Sequence, residues 1–346
     1  MSKPMSNLIR LLALPTGFLA ALALAGSSPA TAQAPDLSGK QVQMIIGFGA
    51  GGGYDRWGRT VGRYIGKHLP GKPNVIPQNM PGGGSFQAAN FIFSAAPKDG
   101  TAMAIIARDA PLGPISGMQG ARFDPLKMTW LGTPTTETNV CFAHKRAKVK
   151  NFADLLKDEL IIGNTGAGTG TYSYPKALNG LLGTKFKLVS GFKVSTDVLL
   201  AMERGEVDGL CESWDSAFGK RPELFKDGTF NILFQAGAGG ALNPEVNAPS
   251  VFTFAKTPEQ KQALDYVYVG QGIGRPFIAP PDLPPAVLKM VRDAFDATMK
   301  DSEYIAEVKK LKLDHDPKDG AFLEKLIKSV YATPKPLVDK IAALIK

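Results

Sequence analysis

Acidic residues are missing from one long stretch of this chain: between Arg56 and Lys98 there is no Asp or Glu. The gap matters because "GFGAGG", which follows the apolar run "VQMII", fits G-x-G-x-x-G. That pattern holds a dinucleotide only when an acidic residue about 20 positions on, at the end of the second strand, binds the ribose. Here the second strand-like run, "NVIPQN", ends in Gln78-Asn79. No glycine run closes in Gly-Lys-Ser/Thr, which excludes a nucleotide-phosphate loop as well. Histidine is scarce, and His68, His144 and His315 show no zinc spacing. No G-x-S-x-G elbow occurs; Ser85 follows three glycines, but Gln87 stands where the closing glycine would be. Carboxylates such as Asp124, Asp197, Glu203, Glu206 and Asp208 fall in turns or on exposed helix faces. No cofactor, metal or catalytic group is therefore expected. Cysteine is nearly absent too. Cys141 and Cys211, in "NVCFA" and "VDGLCES", are compatible with a disulfide or with two buried thiols.

Long apolar runs are confined to the first segment. Lys3 and Arg10 form a basic n-region, Leu11 to Ala25 an apolar core, and Ala30-Thr31-Ala32 a small-residue cleavage site. The run is shorter than the roughly 20 residues that a span needs, and Pro15 interrupts it. Residues 1–32 are therefore expected to be a cleaved signal peptide, and with Ser27 rather than cysteine after "LALAG" the product is not lipidated. Cleavage after Ala32 leaves 314 of the 346 residues, long enough for two α/β domains, and removing Lys3 and Arg10 lowers the formal charge from +9 to +7. The basic residues are interleaved with acids and carry no aromatic-studded block, so nucleic acid is not expected. The densest stripe, Arg56, Arg59, Arg63 and Lys67, reads as a solvated helix face or a docking surface.

Strand-like and helix-like segments alternate almost throughout, which predicts α/β architecture. "VQMIIG", "NVIPQN" and "TAMAIIA" read as strands, with helices at "RWGRTVGRYIGKHL" and after "GGGS". A second cycle runs through "ELIIG", "SYPKALNGLLG", "KFKLVSG", "STDVLLAMERG" and "EVDGLCES". The Gly/Pro-rich "GQGIGRPFIAPPDLPP" then returns the chain to the first domain, and four helices close the sequence.

Three glycine-rich loops, "GFGAGGGYD", "NMPGGGS" and "NTGAGTGTY", each precede a helix. Such loops aim backbone N–H groups at a small space backed by the positive end of a helix, and glycine lets a ligand approach without a Cβ in the way. Asp55 is placed to cap the first helix. A helix terminus contributes about 0.3–1 kcal/mol, up to about 2 when partly buried. A micromolar ligand needs about 8 kcal/mol. Several charge-assisted hydrogen bonds must therefore add to the dipoles. The first and third loops, in different halves of the chain, are expected to face each other across a cleft around an anionic ligand. On that expectation, a side chain at Gly52 or Gly168 would occupy the anion's space.

The residues that carry a family resemblance are "MIIGFGAGGGYDRWGR", "PQNMPGGGSFQAANFIFSAAPKDGTAMAI", "FDPLKMTWLG", "GNTGAGTGTY", "GFKVSTDVLLAMERGEVDG" and "FIAPPDLPPAVLKMV". In this order they resemble the substrate-binding proteins of tripartite tricarboxylate transporters, the Bug family, over most of the mature chain. The resemblance implies a monomeric periplasmic binding protein of type II, with two Rossmann-like α/β domains and a hinge, closing on a small carboxylate in Venus-flytrap fashion. Its membrane partners would be a large and a small permease subunit. The expected division is 33–137 plus 271–346 for the first domain and 138–270 for the second.

Carried over by position, the ligand loops are Phe48, Ala50, Gly51, Gly52, Gly53, Tyr54 and Asp55, and Gly166, Ala167, Gly168, Thr169, Gly170, Thr171 and Tyr172. The family's Tyr-Lys-Gly segment falls on Phe192, Lys193 and Val194, and its strand-end acid falls on Glu212. The departures bear on specificity. Arg108, in "ARD", is expected either to pair a ligand carboxylate bidentately or to pair internally with Asp109 or Glu212. Tyr54, Tyr172 and Trp214 would stack on an aromatic acid if they face the cleft. An aliphatic di- or tricarboxylate is slightly favoured over an aromatic one. A sensory receptor of the same ligand and a secreted enzyme are the other readings.

Overall fold

The computed structural model describes residues 35–345; the expected signal peptide lies outside the described residues. Two mixed sheets organise the chain. The first contains β1 (Gln41–Ile46), β2 (Asn74–Asn79), β3 (Ala102–Ile105) and β4 (Thr129–Thr133) from the first third of the sequence. The second is built from β5 (Thr138–His144), β6 (Leu160–Gly163), β7 (Phe186–Val189), β8 (Gly209–Ser213) and β9 (Phe230–Gly237). The chain then returns, and β10 (Phe277–Ala279) and β11 (Lys318–Asp319) complete the first sheet in the order β11-β4-β10-β3-β1-β2. The second sheet runs β7-β6-β8-β5-β9. Parallel pairs lie at β1/β2, β1/β3, β6/β7 and β6/β8, and the strands that cross between the halves pair antiparallel.

Period-2 alternation explains how each sheet is covered on both faces. In β1, Val42, Met44 and Ile46 pack with Trp57, Val61 and Ile65 of the helix Gly53–His68. Ile45 points the other way, into a cluster with Ala88, Ala89 and Ile92 of the helix Phe86–Ser94. In the second sheet Cys141 and Ala143 face Tyr174 and Leu178 of the helix Gly170–Leu182, while Val140 and Phe142 face Val198 and Met202 of the helix Ser195–Arg204. The last helix, Lys335–Ile345, places Val338 and Ile341 in the cluster of the second sheet.

β4, β9 and β10 carry no alternation in the sequence because both of their faces are covered. The "TWLGT" of β4 is buried at every position, and "FIA" of β10 sits inside the Gly/Pro-rich stretch. The basic stripe of the first helix lies on a face that is part exposed, with Arg63 and Lys67 in contact with solvent, and its members are paired. Arg56 donates to Leu311 O, Arg63 pairs with Glu307 and Lys67 with Glu303, which fastens this helix to the helix Ser302–Lys310.

Two segments connect the sheets and bond to each other. Arg275 N–H donates to Thr133 Oγ1 at 2.8 Å, and Glu137 N–H donates to Gln271 O at 2.9 Å. Gly274 has φ +67°, and a Cβ there would lie 1.8 Å from Thr135 O. Only glycine permits that approach.

Cys141 and Cys211 are register partners on β5 and β8 and form a disulfide across a sequence separation of 70. In the chain-entropy treatment a loop of that size is worth about 4 kcal/mol. The Cys141→Ser/Cys211→Ser variant should lose about that much stability in urea unfolding, and thiol titration of the denatured wild type without reductant should find no free thiol. Equal stability of variant and wild type would remove this role.

Candidate functional site

In open α/β sheets a ligand crevice forms beyond the carboxyl ends of parallel strands, where neighbouring connections leave in opposite directions. Each sheet here has one such point. β1 lies between β2 and β3, and β6 lies between β7 and β8. The loops after β1 and β3 and those after β6 and β8 open onto a single cleft, which holds about 550 Å³ of empty space, part of it open to solvent.

The loop after β1 leads into the helix Gly53–His68, which starts three residues earlier than its apolar pattern indicates. Its N-cap is Gly52, which offers no side chain, so the first N–H groups of the helix have neither an intrahelical acceptor nor a cap. Asp55 does not cap this helix. Its carboxylate turns back to accept from Gly51 N–H at 2.9 Å and pairs with Arg59 and Asn79, fixing the loop from behind.

The loop after β6 enters the helix Gly170–Leu182, also three residues ahead of the pattern. Thr165, Thr169 and Thr171 join their hydroxyls in a triangle with edges of 3.2, 2.9 and 2.8 Å. The two helix N-termini, one from each half, therefore end at the same cavity, with Gly52, Gly53, Thr169, Gly170 and Thr171 in its wall.

The middle glycine loop has a different task. Ser85 Oγ accepts from Ala107 N–H at 2.7 Å, which holds the end of β3. A Cβ on Gly84 would lie 2.5 Å from Ala167 O, so this loop abuts the third loop directly. Gly168 faces that contact: its missing Cβ points at Phe86, 2.9 Å away. A side chain at Gly168 would strike the other half of the protein, not the cavity.

Beneath the cavity lies a buried cluster of charge. Arg275, 2 % exposed, donates from Nε to Glu137 and from Nη2 to Ser213 and Ser216 at 2.7 Å each, and it pairs with Asp215 at 3.4 Å. Arg108 pairs with Glu137, donates to Gln271 Oε1 at 2.9 Å and bonds the Tyr54 hydroxyl. Glu137 is thus the internal partner of Arg108, in place of Asp109 or Glu212. Burial opposes the charge on Arg108, but Glu137 foremost, with Tyr54 and Tyr174, raises its pKa well above the ordinary value. Burial works against Asp215 too, yet Arg275 and Ser213 hold it at about 2. Asp109 is pushed up to about 6 by burial, against Arg108, the Tyr174 hydroxyl at 2.7 Å and Gly170 N–H.

The cavity wall gathers Phe48, Gly52, Gly53, Tyr54, Arg108, Thr169, Gly170, Thr171 and Glu212 from the expected set. Ala50, Gly51, Asp55, Gly166, Ala167, Gly168, Tyr172, Phe192 and Lys193 lie outside it, in the bends behind the wall or at the rim, where Val194 replaces Phe192 and Lys193. Trp214 turns away from the cleft and stacks on Phe218 at 4.6 Å in the core. Tyr54 is already occupied, stacked by Phe48 at 4.4 Å and approached by the Arg275 guanidinium at 4.4 Å. An aromatic platform for the ligand is therefore not present in these three residues.

Asn139, Tyr174, Ser195, Ser216 and Arg275 also line the cavity and were not expected. One signal was available for Arg275: a lone charge in an otherwise apolar, glycine-rich stretch. Asn139 is the second residue of β5, and nothing in its sequence context marks it.

No family model and no curated protein matches the chain at the sequence level. Solved structures do match. The periplasmic binding protein BugD aligns with a TM-score of 0.67 at 16 % identity, over 87 % of this chain and 97 % of that one. MatC of Rhodopseudomonas palustris, with bound malate, aligns at 0.67 and 18 % over 88 % and 99 %. An R. palustris protein with adipate aligns at 0.64 and 16 % over 88 % and 97 %. The chain has the two-domain type II binding-protein fold.

Asp109 gives the site a pH signature. Unfolded, it titrates near its ordinary 3.8; folded, near 6. Between those values the folded state binds more protons, so this group's contribution to stability falls as pH rises and is fully lost above about 6. The difference is about 3 kcal/mol. Unfolding measured from pH 4 to 7 should show wild type losing stability relative to Asp109→Asn by that order. Parallel profiles would show that Asp109 titrates as an ordinary carboxylate.

Proposed function

We propose that the protein is a periplasmic solute receptor that captures a small organic carboxylate between its two domains and delivers it to the large and small permease subunits of a tripartite tricarboxylate-type transporter. The observation that carries this reading is the convergence of two helix N-termini, one from each half and neither capped by the side chain of its own N-cap residue, on one cavity. N–H groups at such termini, with threonine hydroxyls beside them, suit a carboxylate. The domains would be 33–137 plus 271–346 and 138–270, except that the last helix, Lys335–Ile345, packs on the second, and they would move about the two bonded crossing segments. The exported, periplasmic location rests on the signal-like first segment and on the similarity to binding proteins from that compartment. Similarity to binding proteins rather than enzymes supports a receptor without catalytic activity.

Contacts at the cleft rim support closure on the ligand. Thr196 Oγ1 donates to Gly51 O at 3.2 Å, and Val194 lies against Gly52. Gly53 sits deeper: a Cβ there would be 2.2 Å from Ser216 Oγ and 3.1 Å from Arg275. A side chain at Gly53 would keep the halves apart while leaving each half folded.

Purified protein should be screened by thermal shift and native mass spectrometry against aliphatic mono-, di- and tricarboxylates and aromatic acids. At 100 times its Kd a ligand adds about 2.7 kcal/mol of stability, a shift of several degrees. Gly53→Val should keep its far-UV spectrum and lose that shift. A response to amines or neutral sugars, with none to any carboxylate, would overturn the reading.

A further inference from the structure

The cavity holds acceptors that the protein leaves unused. Asn139 and Glu212 line it, at 2 % and 6 % exposure, and Asn139 Oδ1 and Glu212 Oε1 have no hydrogen-bond partner among the described residues. They stand at the cleft ends of β5 and β8, strands that the neighbouring Cys141–Cys211 pair joins covalently. A buried acceptor without a donor is costly, and native structures seldom leave one without a functional reason.

The cations around the cavity are already matched. Arg108 and Arg275 share Glu137, Arg275 also holds Asp215, and Lys220 lies 3.4 Å from the other oxygen of Glu212. A dianionic ligand would bring a second negative charge into this wall without a free cation to meet it. One carboxylate at the helix termini is accommodated; a second is not.

We propose that the ligand is a monocarboxylate with a hydrogen-bond donor, an ammonium or hydroxyl group, at its other end, and that Glu212 and Asn139 accept from that donor. The proposal rests on the carboxylate reading of the cavity and narrows it. It also reverses the slight preference for an aliphatic diacid that the sequence suggests. A donor at this place satisfies both orphan acceptors, and an ammonium would also pair with the Glu212 carboxylate.

The test is a matched set of ligands at four, five and six carbons: for each length the diacid, the ω-amino acid, the ω-hydroxy acid and the plain monoacid. Affinities are read by calorimetry. At the preferred length the amino or hydroxy acid should bind at least ten-fold more tightly than the diacid and the plain acid. Glu212→Gln and Asn139→Ala should each lower the ratio of the amino or hydroxy acid's affinity to that of the plain acid of the same length. Tighter binding of the diacid overturns this proposal and leaves the carboxylate receptor standing. An advantage that survives both substitutions overturns the assignment to Glu212 and Asn139. Absence of binding by every acid counts against both readings. The wild-type comparison needs no variant, so poor folding of either substitution does not spare the proposal.

Discussion

The buried ion cluster around Arg275 is the constraint on which the rest depends. Its guanidinium, carried on the segment that returns to the first sheet, reaches Glu137 on the outgoing segment and Asp215 just after β8. Trp57, on the first helix, donates to the same Asp215 at 3.3 Å. Elements from both halves are thus pinned to one point at the floor of the cleft. Breaking one member of such a cluster leaves a buried charge uncompensated, which typically costs about 3–5 kcal/mol. The cluster also sets what the cavity can hold, because the arginines that reach it are engaged before any ligand arrives.

Above this floor the chemistry is that of backbone and hydroxyl groups. Glycine at the N-cap of the first helix and the threonine triangle at the start of the second bring both helix starts to the cavity wall. The unpaired acceptors in the cavity wall, Asn139 Oδ1 and Glu212 Oε1, stand on the second sheet.

Much of this was legible beforehand. The alternating strand-like and helix-like segments gave the α/β class. Apolar periodicity located the last four helices closely, since amphipathic helices carry their pattern in their own residues. The same rule failed for β4, β9 and β10, which are covered on both faces and so show no alternation. Residue type alone also left open where Trp214 and Tyr172 face: Trp214 stacks on Phe218 in the core, and Tyr172 lies outside the cavity wall.

By itself the sequence determined most of the elements and the glycine loops that precede the helices. Each of these follows from short-range chemistry: periodicity, left-handed backbone conformations and N–H groups freed at helix starts. Only the tertiary structure decided which loops meet, that Arg108 answers to Glu137, and that Asn139 and Glu212 share a cavity without partners. Those facts depend on residues far apart in the chain, brought together where two sheets and their crossing segments converge, and no local pattern encodes such a meeting.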